Sequence, residues 1–187
     1  MNNYRLKKYT DSFFLTGFMA TGKSTVGQLL ARKLDQPFLD LDQRIVEAER
    51  RTVKSIFEEE GEAVFRQKEW EQLLEITRTF KGVVALGGGA LHNQQVIDHL
   101  KLKGLLIYIK TPIEVIIERV LRNTNRPIVL DENGKLKSYN TLFTDLDTLY
   151  SKRIPFYEQA QIILESTGNE SKDEQATRLL EKITHYV

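Results

Sequence analysis

The residue types best suited to chemistry stand early in the chain, in Gly17-Phe18-Met19-Ala20-Thr21-Gly22-Lys23-Ser24-Thr25. Two glycines bound a four-residue loop, and a lysine and two hydroxyls follow. This spacing suits anion capture. Successive backbone N–H groups turn inward, a helix N-terminus adds partial positive charge, and Lys23 reaches the outer phosphates. Gly17 and Gly22 let the backbone turn and come close to a ligand. Ser24 would offer its hydroxyl to Mg²⁺. The alternative is a glycine-containing helix entry with a solvated lysine. The flanks argue against it: Phe13, Phe14 and Leu15 read as a buried strand, and Val26, Leu29, Leu30 and Leu34 have helical spacing.

Further candidates lie downstream. In PFLDLD (37–42), strand alternation puts Asp40 and Asp42 on one face. Two carboxylates at the end of a strand can hold a metal beside phosphates or accept a proton from a substrate hydroxyl. The plainer reading makes Asp42 the N-cap of the following helix. Arg66 has Glu62 four residues before it, and the residues alone favour a surface ion pair. Gly87, Gly88 and Gly89 follow the apolar run GVVAL, which suggests backbone approaching a ligand rather than a loose turn. Arg126 precedes Pro127, an extended dipeptide in a polar stretch. Such an arginine could swing over phosphates, or it could simply be solvated. The three histidines (His92, His99, His185) show no ligand spacing.

These residues need elements to hold them. Continuous apolar runs at 82–86 and 104–110 suit parallel strands covered on both faces. Helical stretches alternate with them, over 43–78 with a turn at Gly61, after Pro112, and again over 141–160 with Pro155 as a kink or break. A last strand is expected at Gln161–Leu164, and an amphipathic helix opens at a serine with acids in its first turn. The pattern is α/β with a mainly parallel sheet. The 187 residues suit one domain, with a phosphate-loop core at 13–35, helices at 43–78 and a loop at 123–140 long enough to be a lid.

Composition narrows the classes. A net charge of +1 argues against a dedicated nucleic-acid surface, and no cysteine means no disulfide or thiol chemistry. No apolar run reaches membrane-spanning length, and the basic N-terminus lacks the apolar core of a secretory signal, so a cytoplasmic protein is expected.

GFMATGKST, FLDLD, GEAVFRQKE, LGGGA, NTNRP and RIPFYEQA occur in an order and spacing that resembles the shikimate kinases, within the nucleoside-monophosphate-kinase-like P-loop superfamily. The resemblance runs from Phe14 to about Ala160. It implies a parallel sheet of about five strands in the order 2-3-1-4-5, a mobile lid, and ATP-dependent phosphorylation of the shikimate 3-hydroxyl by a cytoplasmic monomer of the aromatic amino acid pathway. It implies that Lys23 holds the β- and γ-phosphates within the loop Gly17, Ala20, Thr21, Gly22, Ser24 and Thr25. Ser24 would ligate Mg²⁺ with Asp40 behind it, and Asp42 would accept from the shikimate hydroxyls. Arg66 and Arg153 would grip the carboxylate, and Gly88 and Gly89 would present backbone N–H groups. Arg119 would stack on adenine, and Arg126 would close with the lid onto the transferring group. Three departures stand out. In the phosphate loop Ala20 and Thr21 replace a common glycine and serine, and Ala20 limits its position to ordinary backbone angles. The segment 128–140 matches no familiar lid. Glu170 is acidic where relatives often carry a basic residue near adenine. The competing readings are a gluconate- or nucleotide-type kinase of the same superfamily and a catalytically silent nucleotide-binding regulator.

Overall fold

The computed structural model describes residues 11–122, 127–131 and 133–187. Five strands form one sheet in the order β2-β3-β1-β4-β5, every pairing parallel. They are β1 (Ser12–Thr16), β2 (Phe38–Asp40), β3 (Val83–Ala85), β4 (Gly104–Lys110) and β5 (Ile162–Glu165). The helices are α1 (Lys23–Leu34), α2 (Leu41–Glu49), α3 (Val53–Thr79), α4 (Gln94–Lys103), α5 (Ile113–Leu121), α6 (Tyr139–Tyr157) and α7 (Lys172–Tyr186). This is the α/β architecture expected from the sequence pattern and the strand order implied by the family resemblance.

Alternation along the strands sorts the core into two layers. Phe14, Val84, Leu106 and Tyr108 pack on one side of the sheet with residues of α2 to α6. Phe13, Leu15, Val83, Leu105, Ile107 and Ile109 pack on the other, against Val26 and Leu30 of α1 and Leu179 and Ile183 of α7. With both faces covered, the central strands are apolar over most of their length, as parallel strands are. Leu15 is in register with Ala85 on one side and Ile107 on the other, so the loops leaving β1, β3 and β4 share one edge of the sheet.

Three local expectations change. β2 stops at Asp40, and Leu41 and Asp42 already belong to α2. Asp40 is the N-cap, its carboxylate accepting from the N–H groups of Asp42 (3.1 Å) and Gln43 (3.3 Å). Asp42 is therefore neither in the strand nor the cap, because Asp40 sits closer to the free amides of the first turn. Pro155 does not break α6, which runs through it to Tyr157, with Glu158 N–H donating to Ile154 O at 2.9 Å. The missing donor of Pro155 falls opposite the carbonyl of the exposed Ser151, where water can substitute. Gly61, as expected, interrupts the long helical run, with φ 84° and ψ 172° inside α3.

Of the 123–140 segment, Pro127–Val129 is a 3₁₀ turn, and Leu130 bridges Leu136 around a tight turn in which Asp131 accepts from the N–H groups of Asn133 and Lys135. Arg126 lies outside the described residues. Among the described residues no helix is long and apolar enough to cross a membrane.

Candidate active site

The loop between β1 and α1 closes on itself. Thr21 Oγ1 donates to Phe18 O at 2.9 Å, and Lys23 Nζ donates to Gly17 O at 2.9 Å and Phe18 O at 2.8 Å. Gly17 (φ 141°) and Gly22 (φ 96°) occupy backbone regions that side chains disfavour. Ala20 does so too, with φ 59°, which corrects the expectation of ordinary angles there. A left-handed alanine costs roughly 1–2 kcal/mol, so the surrounding contacts must hold it. No side chain caps α1, so its first N–H groups face the loop's concavity, where an anion would sit. A cleft of about 260 Å³ opens here, lined by Met19, Ala20, Gly22, Lys23, Ser24, Thr25, Asp40, Asp42, Leu86 and Gly88.

The two aspartates divide the work of one edge. Ser24 Oγ donates to Asp40 Oδ2 at 2.5 Å, so a hydroxyl and a carboxylate stand together beside the loop. Asp42, on the first turn of α2, turns further in. A Cβ on Gly87 would lie 2.7 Å from Asp42 Oδ1 and 2.8 Å from Glu69 Oε1, so that glycine is what lets both carboxylates approach the β3 loop. Burial, and secondarily the charge of Asp40, raises the Asp42 carboxyl above its ordinary value.

Arg66 is not the surface pair that its residues alone suggest. It pairs with Glu62 at 3.2 Å and also, at 2.7 Å, with Glu69, whose side chain is only 1% exposed. Its guanidinium lies 5.3 Å from the Phe65 ring and 5.9 Å from the Phe57 ring. Gly89 abuts it, a Cβ there falling 2.8 Å from Arg66 Cζ. Arg153, on α6, donates to Gly88 O at 3.0 Å and rests 5.6 Å from the Phe18 ring, and Tyr157 Oη donates to the same carbonyl. Those two donors hold the Gly88 carbonyl toward α6, so the trans peptide directs the Gly89 N–H the opposite way. A Cβ on Gly88 would touch Met19 N at 3.3 Å, which puts this loop in contact with the phosphate loop. Lys23, Ser24, Asp40, Asp42 and Gly88 thus line one cleft, and Arg153 and Arg66 meet the same glycine loop at Gly88 and Gly89.

Glu69, Tyr157 and Lys172 belong to this surround and were not anticipated from the sequence. Glu69 did leave a signal. It falls on the stripe Phe65, Glu69, Leu73, Ile76, a charge in an otherwise buried helical face. Its carboxyl is pushed up to about 6, chiefly by burial, and its Oε1 has no hydrogen-bond partner among the described residues. Beneath Phe18, Tyr108 and Tyr150 share a 2.6 Å hydroxyl contact, and Tyr150 donates to Thr111 O, tying α6 to β4. At the outer lip, Arg119 Nη1 donates to Ala20 O (3.2 Å) and Thr21 O (3.4 Å), and Lys172 Nζ donates to Thr21 O (3.2 Å). Glu170 itself pairs with Arg178 at 2.6 Å.

The chemistry is legible from this arrangement. One end of the cleft is an anion cradle with hard oxygen donors beside it. Two guanidiniums, a group able to fork onto a carboxylate, meet the adjoining loop at Gly88 and Gly89, and Asp42 and Glu69 approach it at Gly87.

Comparison with known proteins identifies the family. The shikimate kinase family model matches residues 19–184. A shikimate kinase of Chlorobium phaeobacteroides is 38% identical over 182 residues, 96% of this chain and 94% of its own. The crystal structure of the shikimate kinase from Bacteroides thetaiotaomicron is 34% identical, with a TM-score of 0.84 over 93% of this chain and 98% of that one. The structure of the Acinetobacter baumannii enzyme in complex with shikimate is 32% identical, with a TM-score of 0.84 over 99% and 98%. The chain belongs to the shikimate kinase family.

Proposed function

We infer that the protein transfers the γ-phosphoryl group of ATP to the 3-hydroxyl of shikimate, releasing ADP and shikimate 3-phosphate. Family membership supports the activity, and a relative of the same fold was solved in complex with shikimate. The observation that supports the residue-level reading is the shared glycine loop. Asp42 approaches Gly87, Arg153 donates to Gly88 O, Arg66 abuts Gly89, and Gly88 in turn touches the phosphate loop at Met19.

In this reading Arg66 and Arg153 bind the carboxylate of the ring, and the Gly88 and Gly89 amides contact the substrate. Asp42 accepts the hydrogen bond of the attacking hydroxyl and takes its proton. Its raised carboxyl pKa makes it a stronger base than a free aspartate. As the oxygen–phosphorus bond to shikimate forms, the bond to ADP breaks, and Lys23 and the loop amides hold the charge on the phosphate oxygens. Thr21, Gly22 and Thr25 complete the cradle, Arg119 stacks on the adenine, and Arg126 approaches the transferring group from the 123–140 lid. Alignment supplies most of the rate, because phosphoryl transfer asks for little covalent chemistry from the protein.

Ser24 and Asp40 fit a magnesium ion, which favours hard oxygen donors, few protein ligands and retained waters. Bound there, it would neutralise charge on the β- and γ-phosphates. We take the whole chain as one kinase domain, working as a cytoplasmic monomer without nucleic-acid or membrane partners.

A coupled ADP-release assay with shikimate, gluconate and nucleoside monophosphates tests this, with the product identified by phosphorus NMR. Turnover is expected with shikimate alone. Turnover with gluconate and none with shikimate would overturn it.

A further inference from the structure

Lys172 is an oddly placed cation. It is the first residue of α7, one position after the Ser171 N-cap, where the helix dipole disfavours positive charge. It is half-buried, and no carboxylate among the described residues lies within ion-pairing distance of it. The acids of its own turn are engaged elsewhere: Asp173 with Lys33 of α1 (2.9 Å), Glu174 in the capping box, and Glu170 with Arg178. Burial first, and then the neighbouring Arg119, lowers its ammonium to about 8, against the weaker pull of Glu170. A charge kept under these conditions needs a purpose.

The side chain is held in place. Its Nζ donates to Gln175 Oε1 (3.2 Å), and the fully buried Gln175 donates in turn to Ser166 Oγ at the end of β5 (3.0 Å). The stem crosses the bare face of Gly22, where a Cβ would fall 2.8 Å from Lys172 Cε. From there the ammonium reaches Thr21 O, while Arg119 reaches Ala20 O and Thr21 O from α5. In a trans peptide the carbonyl and the next N–H point in opposite directions. Drawing Ala20 O and Thr21 O outward therefore aims the Thr21 and Gly22 N–H groups into the anion cradle. This is also the stretch where Ala20 and Gly22 hold positive φ.

We propose that Lys172 is a nucleotide-positioning residue: from α7, together with Arg119, it braces the outer carbonyls of the phosphate loop so that the loop's amides stay aimed at the polyphosphate. The proposal deepens the kinase reading and rests on it. Lys172 acts through the Thr21 carbonyl, and its charge is offset when the polyanion arrives.

The test is calorimetric titration of the full chain with MgADP, alongside steady-state KM values for ATP and shikimate. Lys172→Met should bind MgADP about tenfold more weakly and raise the KM for ATP by a similar factor. Its KM for shikimate should stay within twofold, as should the affinity of Lys172→Arg for MgADP, because arginine keeps a donor on Thr21 O. Melting of the nucleotide-free variants separates a brace from a loss of fold. Unchanged MgADP affinity in Lys172→Met overturns the proposal. So does an equal loss of shikimate and nucleotide affinity, or failure of Lys172→Arg to recover binding while melting like the wild type. A wild-type chain that binds no MgADP at all would instead overturn the kinase reading.

Discussion

Gly89→Ala probes the proposed carboxylate-binding region without removing any charged group. An added Cβ would stand 2.8 Å from Arg66 Cζ and 3.0 Å from Nη1, with Nη2 nearer still. Ordinary contact would need the guanidinium to retreat by about 1 Å. It has little room, because Phe57 and Phe65 flank it and Glu62 and Glu69 hold its nitrogens. The backbone is no obstacle, since Gly89 lacks the positive φ that alanine resists. The fold should hold to within about 1 kcal/mol, helped by the reduced entropy of the unfolded chain. The forked contact to a substrate carboxylate should be lost, and a charge-assisted pair of this kind contributes about 1.5–3 kcal/mol. At about 1.4 kcal/mol per tenfold, the KM for shikimate should rise roughly 10- to 150-fold, while the KM for ATP stays within twofold. The coupled ADP-release assay, run at varied shikimate with saturating MgATP and at varied MgATP with saturating shikimate, measures both sides of this split. An unchanged KM for shikimate in a normally melting Gly89→Ala protein would refute the assignment of Arg66 to the substrate carboxylate.

Asp42→Asn should lower kcat by about a hundredfold or more, the usual contribution of a positioned base, while MgADP still binds. Since Asp40 rather than Asp42 caps α2, the variant removes no cap, and full activity would leave Asp42 without a catalytic role. Glu69 carries a stability signature. Its carboxyl is raised from 4.5 to about 6, chiefly by burial, so the folded state holds this proton more tightly than the unfolded chain does. Stability from that group is full below pH 4.5 and is lost as the pH rises through about 6, by roughly 2 kcal/mol. Denaturant unfolding from pH 4 to 7 should show this decline in the wild type and lose it in Glu69→Gln. Parallel curves for the two proteins would contradict it.

The α/β pattern and the phosphate loop were legible because their signals are local, whereas the strand order followed only from the family resemblance. Apolar runs of strand length, a glycine-bounded loop and a helical period lie within short windows of the chain. Asp40 and Asp42 were harder, since strand alternation and helix capping compete for the same two residues. Only the spatial position of the α2 amides decides between them. Arg66 could be read as a surface residue because its partner Glu62 is four positions away. The buried Glu69 and the aromatic rings around the guanidinium make it an interior group, and that follows from how α3 packs. Ala20 adopts a positive φ, and its carbonyl accepts from Arg119 of α5, a contact 99 residues away in sequence that no local signal reveals. Lys172 was hidden for the same reason. The acidic Glu170 is the residue that departs from the family pattern, yet the turn of α7 brings the residue two positions later to the loop.

A crystal structure of the protein with MgADP and shikimate bound together measures the arrangement of the cleft itself. The expected result has the ring carboxylate forked between Arg66 and Arg153, the 3-hydroxyl within hydrogen-bonding distance of Asp42, and that hydroxyl facing the β-phosphate in line. A shikimate seated away from both arginines, or with its 3-hydroxyl turned from the phosphate loop, would contradict the account.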